Sequence, residues 1–467
     1  MFIIAIIGCK KDLSTLNIDT KRPPIVPAPT LFSYATKSLS DSLSSANVNT
    51  NVFRFTVSHW AMAVYQDEAQ YDFSTRNIPQ RWWTTMYTSV LQNLKNASDI
   101  INADVALSES EKANKLAIVD MMQVYAYSIL VNTFGNVPYT EALNSTVFFP
   151  KYDDAKTISL DLLKRLNNDL NKLNAAAKGF SANEDLIYKG NVAQWLKFGN
   201  SLKMRLGMVL ADVDNATAKA AVESADAGAI SSAADNALFT YLLASPNQNP
   251  LYVDIVTGGR SDYIAANDLM SKLVALSDPR KAQFFGTNNA GQYAGGIVGK
   301  VNTFTDFSRP NEKVYAANAA NVFIDYAETE FLRAEAIERG YAVSGTAATH
   351  YNNAVTASII YWGGTPAEAT AYLAQPAVNY VTAAGTWKEK IGTQKWIALY
   401  SRPYDGWVEL RRLDFPKIST PVGAKSGFPN RLPYPNNEQQ LNGTNYTAAA
   451  AAIGGDKVET KLFWDKF

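Results

Sequence analysis

Apolar residues recur at three- and four-residue steps through most of the chain, the period of helices packed on one side. In 81–103 (RWWTTMYTSVLQNLKNASDIINA) that face carries Trp83, Tyr87, Leu91, Leu94 and Ile101. Residues 111–134 continue with Leu116, Val119, Met122, Val124, Tyr127 and Leu130 and stop before Gly135. Asp153 to Leu173 is a third amphipathic run, with Asp153 or Asp154 placed to cap it. Val192 to Val213 is a fourth, so rich in Leu and Met that most of its faces are expected to be buried. Asp325 to Gly340 and Ala347 to Trp362 form a fifth and sixth, joined by a turn holding Gly340 and Gly345. Strand patterns are short and few: Leu238–Leu243 and Gly296–Val301 are the candidates for a minor hairpin or two. The proline-spaced stretch 413–446 reads as a long ordered loop. The expected fold is therefore all-α, with long loops and little sheet.

Ala347, Tyr351 and Ala354 repeat the spacing of a tetratricopeptide second helix, and AETEFLRAEAIERG before them supplies a first helix. Stacked helix pairs are expected from this, within one unit over residues 31–467. The chain opens MFIIAIIGCKKD, an apolar run too short to span a bilayer, followed at once by Cys9 and two lysines. Ile6-Ile7-Gly8-Cys9 resembles a bacterial lipobox, which makes residues 1–8 a signal remnant and Cys9 the lipidated residue. Residues 9–30, with Pro23, Pro24, Pro27 and Pro29, then read as a tether between anchor and body.

Composition removes several classes of function. Lys plus Arg is 43 and Asp plus Glu is 43, so there is no basic surplus to displace counterions from a nucleic acid. With one cysteine and two histidines there is neither an internal disulfide nor a nitrogen–sulfur metal set. An oxygen-only cation site stays open. G-x-S-x-G is absent, and His59, beside Trp60, reads as a structural histidine. The glycines of 294–300 lack the spacing and the hydroxyl of a phosphate loop. Asp212 and Asp214 lack the glycine and glutamate of a calcium loop. Carboxylate neighbours of the kind glycosidases use exist at Asp67-Glu68, Glu184-Asp185 and Asp405 with Glu409. The last pair precedes Arg411 and Arg412, which favours ion pairing.

Aromatic residues make up 12% of the chain and are the more promising chemistry. Sugar rings stack their C–H faces on flat side chains. Trp60, Tyr65 and Tyr71 lie in a stretch that mixes rings with Gln66, Asp67 and Gln70. Trp82 and Trp83 are adjacent, so on a helix they point about 100° apart and only one can face a core squarely.

Four segments together resemble the SusD/RagB family of surface nutrient-binding lipoproteins of Bacteroidota. They are NTFGNVPYTEAL (132–143), YKGNVAQWLKFGNSLKMRLGM (188–208), FIDYAETEFLRAEAIERG (323–340) and RLPYPNNEQQLN (431–442), to which Cys9 and RPYDGWVELRRLDFP (402–416) add. The resemblance implies a helical body with tetratricopeptide-like pairs, anchored at the outer-membrane surface. It implies a protein that is monomeric outside its complex, caps a SusC-like TonB-dependent transporter and hands it glycans or other nutrient oligomers without cleaving them. No cofactor is implied. Trp82, Trp83 and Tyr87 carry over as stacking residues, with Trp60 beside them. The competing reading is a surface glycoside hydrolase or lyase on the same scaffold.

Overall fold

The computed structural model describes residues 26–47 and 49–467; Cys9 and most of the expected tether lie outside them. Helix α1, Ala28–Ser44, begins directly after Pro27 and buries Ala28 and Phe32, so the body starts inside the segment read as tether. Proline is well placed there, because its missing N–H falls where a helix start has no acceptor for one. Strand β1 (Trp60–Met62) follows, then a continuous helix α2 in three stretches: Ile78–Thr84, a π-helical turn Thr85–Leu91, and Gln92–Ala103.

Helix α3, Glu109–Phe134, is the longest and runs through the centre of the molecule. It is apolar and long enough to cross a membrane, yet 78% of its most apolar window is buried among other helices. The core takes up that surface, which is why its apolar residues surround it instead of forming one stripe. Ser108 caps its start and Gly135, at φ 86°, ends it. Strands β2 (Val137–Pro138) and β3 (Tyr152–Asp153) then pair across the loop between them. Helix α4, Ala155–Lys172, is capped by Asp154, whose carboxylate accepts from the Thr157 N–H at 2.8 Å.

Helices α5 (Val192–Val209) and α6 (Asn215–Ala225) pack as a pair, as α3 and α4 do. Strand β4 (Ala237–Phe239) pairs antiparallel with β6 (Asn321–Ile324), and β5 (Tyr263–Ala265) with β1. The expected hairpins are therefore long-range pairings: 238–243 finds its partner more than eighty residues on, and Gly296 only bridges to Ala266. Helix α7 is Asn267–Ala275.

Helices α8 (Tyr326–Glu338) and α9 (Ala347–Tyr361) form the expected pair, turned by Gly340 and Gly345, both at positive φ. Ala347, Tyr351 and Ala354 all face its interior. Helices α10 (Pro366–Leu373), α11 (Trp387–Ala398) and α12 (Pro403–Leu413) continue the stack. The stretch read as loop to 446 is irregular only to Pro435. Two short helices, α13 (Asn436–Leu441) and α14 (Gly443–Ala452), begin there. Over half of the residues, 52%, are helical, and the described residues contain no closed sheet.

Candidate functional site

Adjacent tryptophans at the start of α2 divide as the helical geometry requires. Trp82 turns inward, fully buried against Phe53 (ring centroids 5.3 Å apart) and Tyr404 (5.7 Å). Trp60 is also fully buried, its indole N–H donating to the Tyr400 hydroxyl at 2.8 Å with the Arg54 guanidinium 4.7 Å over its ring. Neither ring offers a face to a ligand, which corrects the expectation for both. Trp83 keeps 7% of its surface exposed and, with Tyr87, floors a groove of about 640 Å³.

Three separate segments wall this groove. The first is α2, where the π turn supplies Tyr87 and Thr88, and the following turns supply Gln92, Lys95, Asn96 and Asp99. π turns are uncommon and cluster at functional sites, because the extra residue re-aims side chains that a regular helix would space evenly. The second is the 138–150 loop between β2 and β3, which carries Phe148 to the rim with 83% of its surface in solvent. The third is α13, with Glu438 and Leu441, followed by Asn442.

Hydrogen bonds hold these walls together. The Tyr87 phenol donates to the Pro138 carbonyl at 2.6 Å, tying helix to loop. Asn442 donates through Nδ2 to the Pro150 carbonyl at 2.8 Å, and Asn445 to the Phe149 carbonyl at 3.0 Å. The Tyr152 phenol donates to Glu438 Oε2 at 2.5 Å. Burial, then the Glu438 charge, pushes the pKa of that phenol up, so it stays a donor. Beneath the floor Trp83 meets Phe134 edge-on at 5.0 Å. The floor is thus rigid, and the Phe148 rim stands free.

Pockets of about 300–1,000 Å³ with an apolar floor and a few polar groups are the usual form of a small-ligand site. Here Trp83, Tyr87, Phe148 and Leu441 supply the apolar part, and amides and hydroxyls most of the remainder. Phe148 and Leu441 were not among the sequence candidates. The available signal was an apolar Phe148-Phe149 pair between Thr146 and Pro150, in a stretch with no helical period. Tyr65 is 58% exposed on left-handed backbone (φ 63°), but it does not line the groove. A cavity of about 350 Å³ beside Asn267, Asp268, Lys272, Trp396 and Lys417 presents no ring, since Trp396 is buried and donates to the Val57 carbonyl.

The acidic neighbours have structural partners. Asp185 accepts from the Trp195 indole at 2.8 Å and from the backbone N–H groups of Ile187, Tyr188 and Gly190. Glu68 is fully buried beside Arg76, at 2.5 Å. Glu409 pairs with Lys395 and Arg412, and Asp405 lies near Arg205 and Arg402. His59 is buried with Nε2 3.1 Å from the Trp396 carbonyl. Among the described residues no three His, Cys, Asp or Glu side chains gather to hold a metal.

Residues 20–435 match the family of SusD-like proteins described as starch-binding and associating with the outer membrane. The chain belongs to the SusD-like family. Homologues in that family are carbohydrate-binding, non-catalytic proteins. A SusD homologue from Bacteroides uniformis is 26% identical with a TM-score of 0.77, covering 94% of this chain and 99% of its own. A chitin-binding protein is 26% identical with a TM-score of 0.79, covering 94% of this chain and 100% of its own. A chitin-binding SusD homologue from Flavobacterium johnsoniae, at 24% identity, TM-score 0.78 and coverage of 94% and 98%, shares the fold. No curated protein matches the chain.

Proposed function

We propose that this SusD-like protein captures oligosaccharides in the Trp83–Tyr87 groove at the cell surface and delivers them to a SusC-like TonB-dependent transporter. The observation that carries the reading is the groove itself, an aromatic floor ringed by hydrogen-bonding groups most of which are neutral. Such a lining matches a sugar, whose C–H faces stack on rings while its hydroxyls meet amides and alcohols. The chitin-binding relatives support N-acetylglucosamine oligomers as first ligands to try, with malto-oligosaccharides beside them. Trp83 and Tyr87 supply the floor, and Phe148 closes over the ligand from the rim.

Calorimetric titration with chitohexaose and maltohexaose tests this. Phe148→Ala and Tyr87→Ala are each expected to weaken binding roughly 5- to 150-fold, since one stacking ring contributes about 1–3 kcal/mol. Phe148→Ala should leave the melting temperature unchanged, because its ring is exposed. Trp82→Ala is the control for packing and should cost about 3–5 kcal/mol of stability. Normal affinity in both groove variants would put the ligand elsewhere.

Anchoring belongs to the same reading. Lipidation of Cys9 would hold the protein at the outer membrane, with the proline-bearing segment after it as spacer. Cys9→Ala should move the protein to the soluble fraction and abolish palmitate labelling. Continued sedimentation with membranes would rule this anchor out.

A further inference from the structure

The charged groups of the groove are few and unbalanced. Among the described residues its lining holds one cation, Lys95, and two carboxylates, Asp99 and Glu438. Lys95 and Asp99 sit one turn apart on α2 with Nζ 2.6 Å from Oδ2, so they satisfy each other. Glu438 receives only the neutral Tyr152 phenol, and among the described residues no lysine or arginine pairs with it. The other polar lining groups, Thr88, Gln92, Asn96, Asn144, Ser145 and Asn442, carry no charge. Gln92 donates to Asn96 at 2.9 Å, which leaves the Asn96 amide N–H₂ and the Gln92 carbonyl as an outward donor and acceptor.

We infer that the groove selects its ligand by charge, accepting uncharged and amino-bearing oligosaccharides and rejecting sulfated or uronate-bearing ones. This rests on the capture reading above. Proteins recognise sulfate and carboxylate with arginine forks or free lysines, whose donors and charge offset the loss of hydration. Among the described residues the groove lining holds no arginine, and its one lysine, Lys95, already faces Asp99. An anionic substituent would instead meet the unpaired Glu438 carboxylate, and an ammonium group would meet it favourably. The walls are open, so the repulsion is screened on the Debye scale of about 10 Å at 0.1 M salt. Glu438 is held in place by the same phenol that buttresses Trp83, which fixes the charge relative to the stacking floor.

The test is a charge series on fixed backbones: chitohexaose, its 6-O-sulfated form and glucosamine hexamer, with maltohexaose and its sulfated form. At 50 mM salt the sulfated hexamers should bind roughly tenfold more weakly than their neutral parents, narrowing at 500 mM. Glucosamine hexamer should bind at least as tightly as chitohexaose. Glu438→Gln keeps an acceptor for Tyr152 and should bring neutral and sulfated affinities to within about threefold. Equal or tighter binding of the sulfated forms by the unmodified protein would overturn the inference while leaving capture intact. So would a gap that Glu438→Gln does not change. Failure of every hexamer to bind would instead overturn the capture reading itself.

Discussion

His59 and His350 show how one residue type takes opposite roles from its surroundings. His59 is sealed in the core, and burial, then the nearby Arg54 charge, push its pKa down to about 3. His350 is raised: burial alone would lower it, but the Glu330 carboxylate at 2.9 Å and the Ser344 carbonyl outweigh that. An unfolded histidine titrates near 6.5. Below that value the unfolded chain binds a proton that folded His59 refuses, so stability falls as pH drops, by up to about 1.4 kcal/mol per unit. His350 acts oppositely: its stabilisation is complete below about 6.5 and is lost as pH rises through its higher folded value. Burial raises Asp169 and Asp405 as well, and both lose stability as pH rises, so each histidine is read by difference from the unmodified protein. Urea midpoints from pH 5 to 8 should show His59→Gln relieving the loss on the acid side and His350→Gln the loss on the alkaline side. A midpoint that climbs steadily from pH 5 to 8 would contradict the His350 assignment.

Helix boundaries follow sequence cues closely where a cap or a glycine is present. The run beginning at Asp153 becomes Ala155–Lys172 under an Asp154 cap, and that ending before Gly135 becomes Glu109–Phe134. Val192 to Val213 closes early, at Val209, because the next four residues turn toward the Asp214 cap of α6. Helices α13 and α14 escaped the periodic reading because an Asn-rich turn and an alanine run carry no apolar stripe. Packing adds demands that propensity does not foresee. Gly392 lies inside α11, where alanine ordinarily gains about 1 kcal/mol of helix stability. A Cβ there would stand 2.8 Å from the Phe415 carbonyl oxygen, a backbone atom that cannot swing aside. Gly392→Ala should therefore lower the urea midpoint, by about 1–3 kcal/mol net. A stabilised variant would show that the α11 contact with the 414–416 backbone is loose.

At the scale of the whole molecule, buried ion pairs join helices that the apolar pattern leaves unassigned to neighbours. Arg412 on α12 bonds both oxygens of Glu335 on α8 and reaches Glu409 at 2.6 Å, while Lys395 on α11 meets Glu409 at 3.0 Å. Burial alone would raise Glu335, but Arg412 and Arg339 hold it down to about 2. A second set links α5 to α8 and to the start of α12 through Arg205, Glu328, Arg402 and Asp325. Removing one partner leaves the others charged and dry. Arg412→Met should cost about 3–5 kcal/mol, and pairing it with Glu335→Leu should recover part of that loss. Guanidinium unfolding of the single and double variants measures the difference. Additive losses would mean that the pair is not coupled.

The sequence alone determined the helical class, the stacked α8–α9 pair, the main caps and the family resemblance, because these depend on residues close together in the chain. It also required Trp82 and Trp83 to diverge. Which of them would face the solvent depended on Phe53 and Tyr404, far away in sequence, which close over Trp82. The groove was likewise not legible, since its walls come from 83–99, 138–150 and 438–442 and meet only when the core brings α2, β2–β3 and α13 together. A repeating apolar pattern sets how side chains on one helix are oriented relative to each other. Exposure, and with it the ability to touch a ligand, is set by what packs against them from elsewhere.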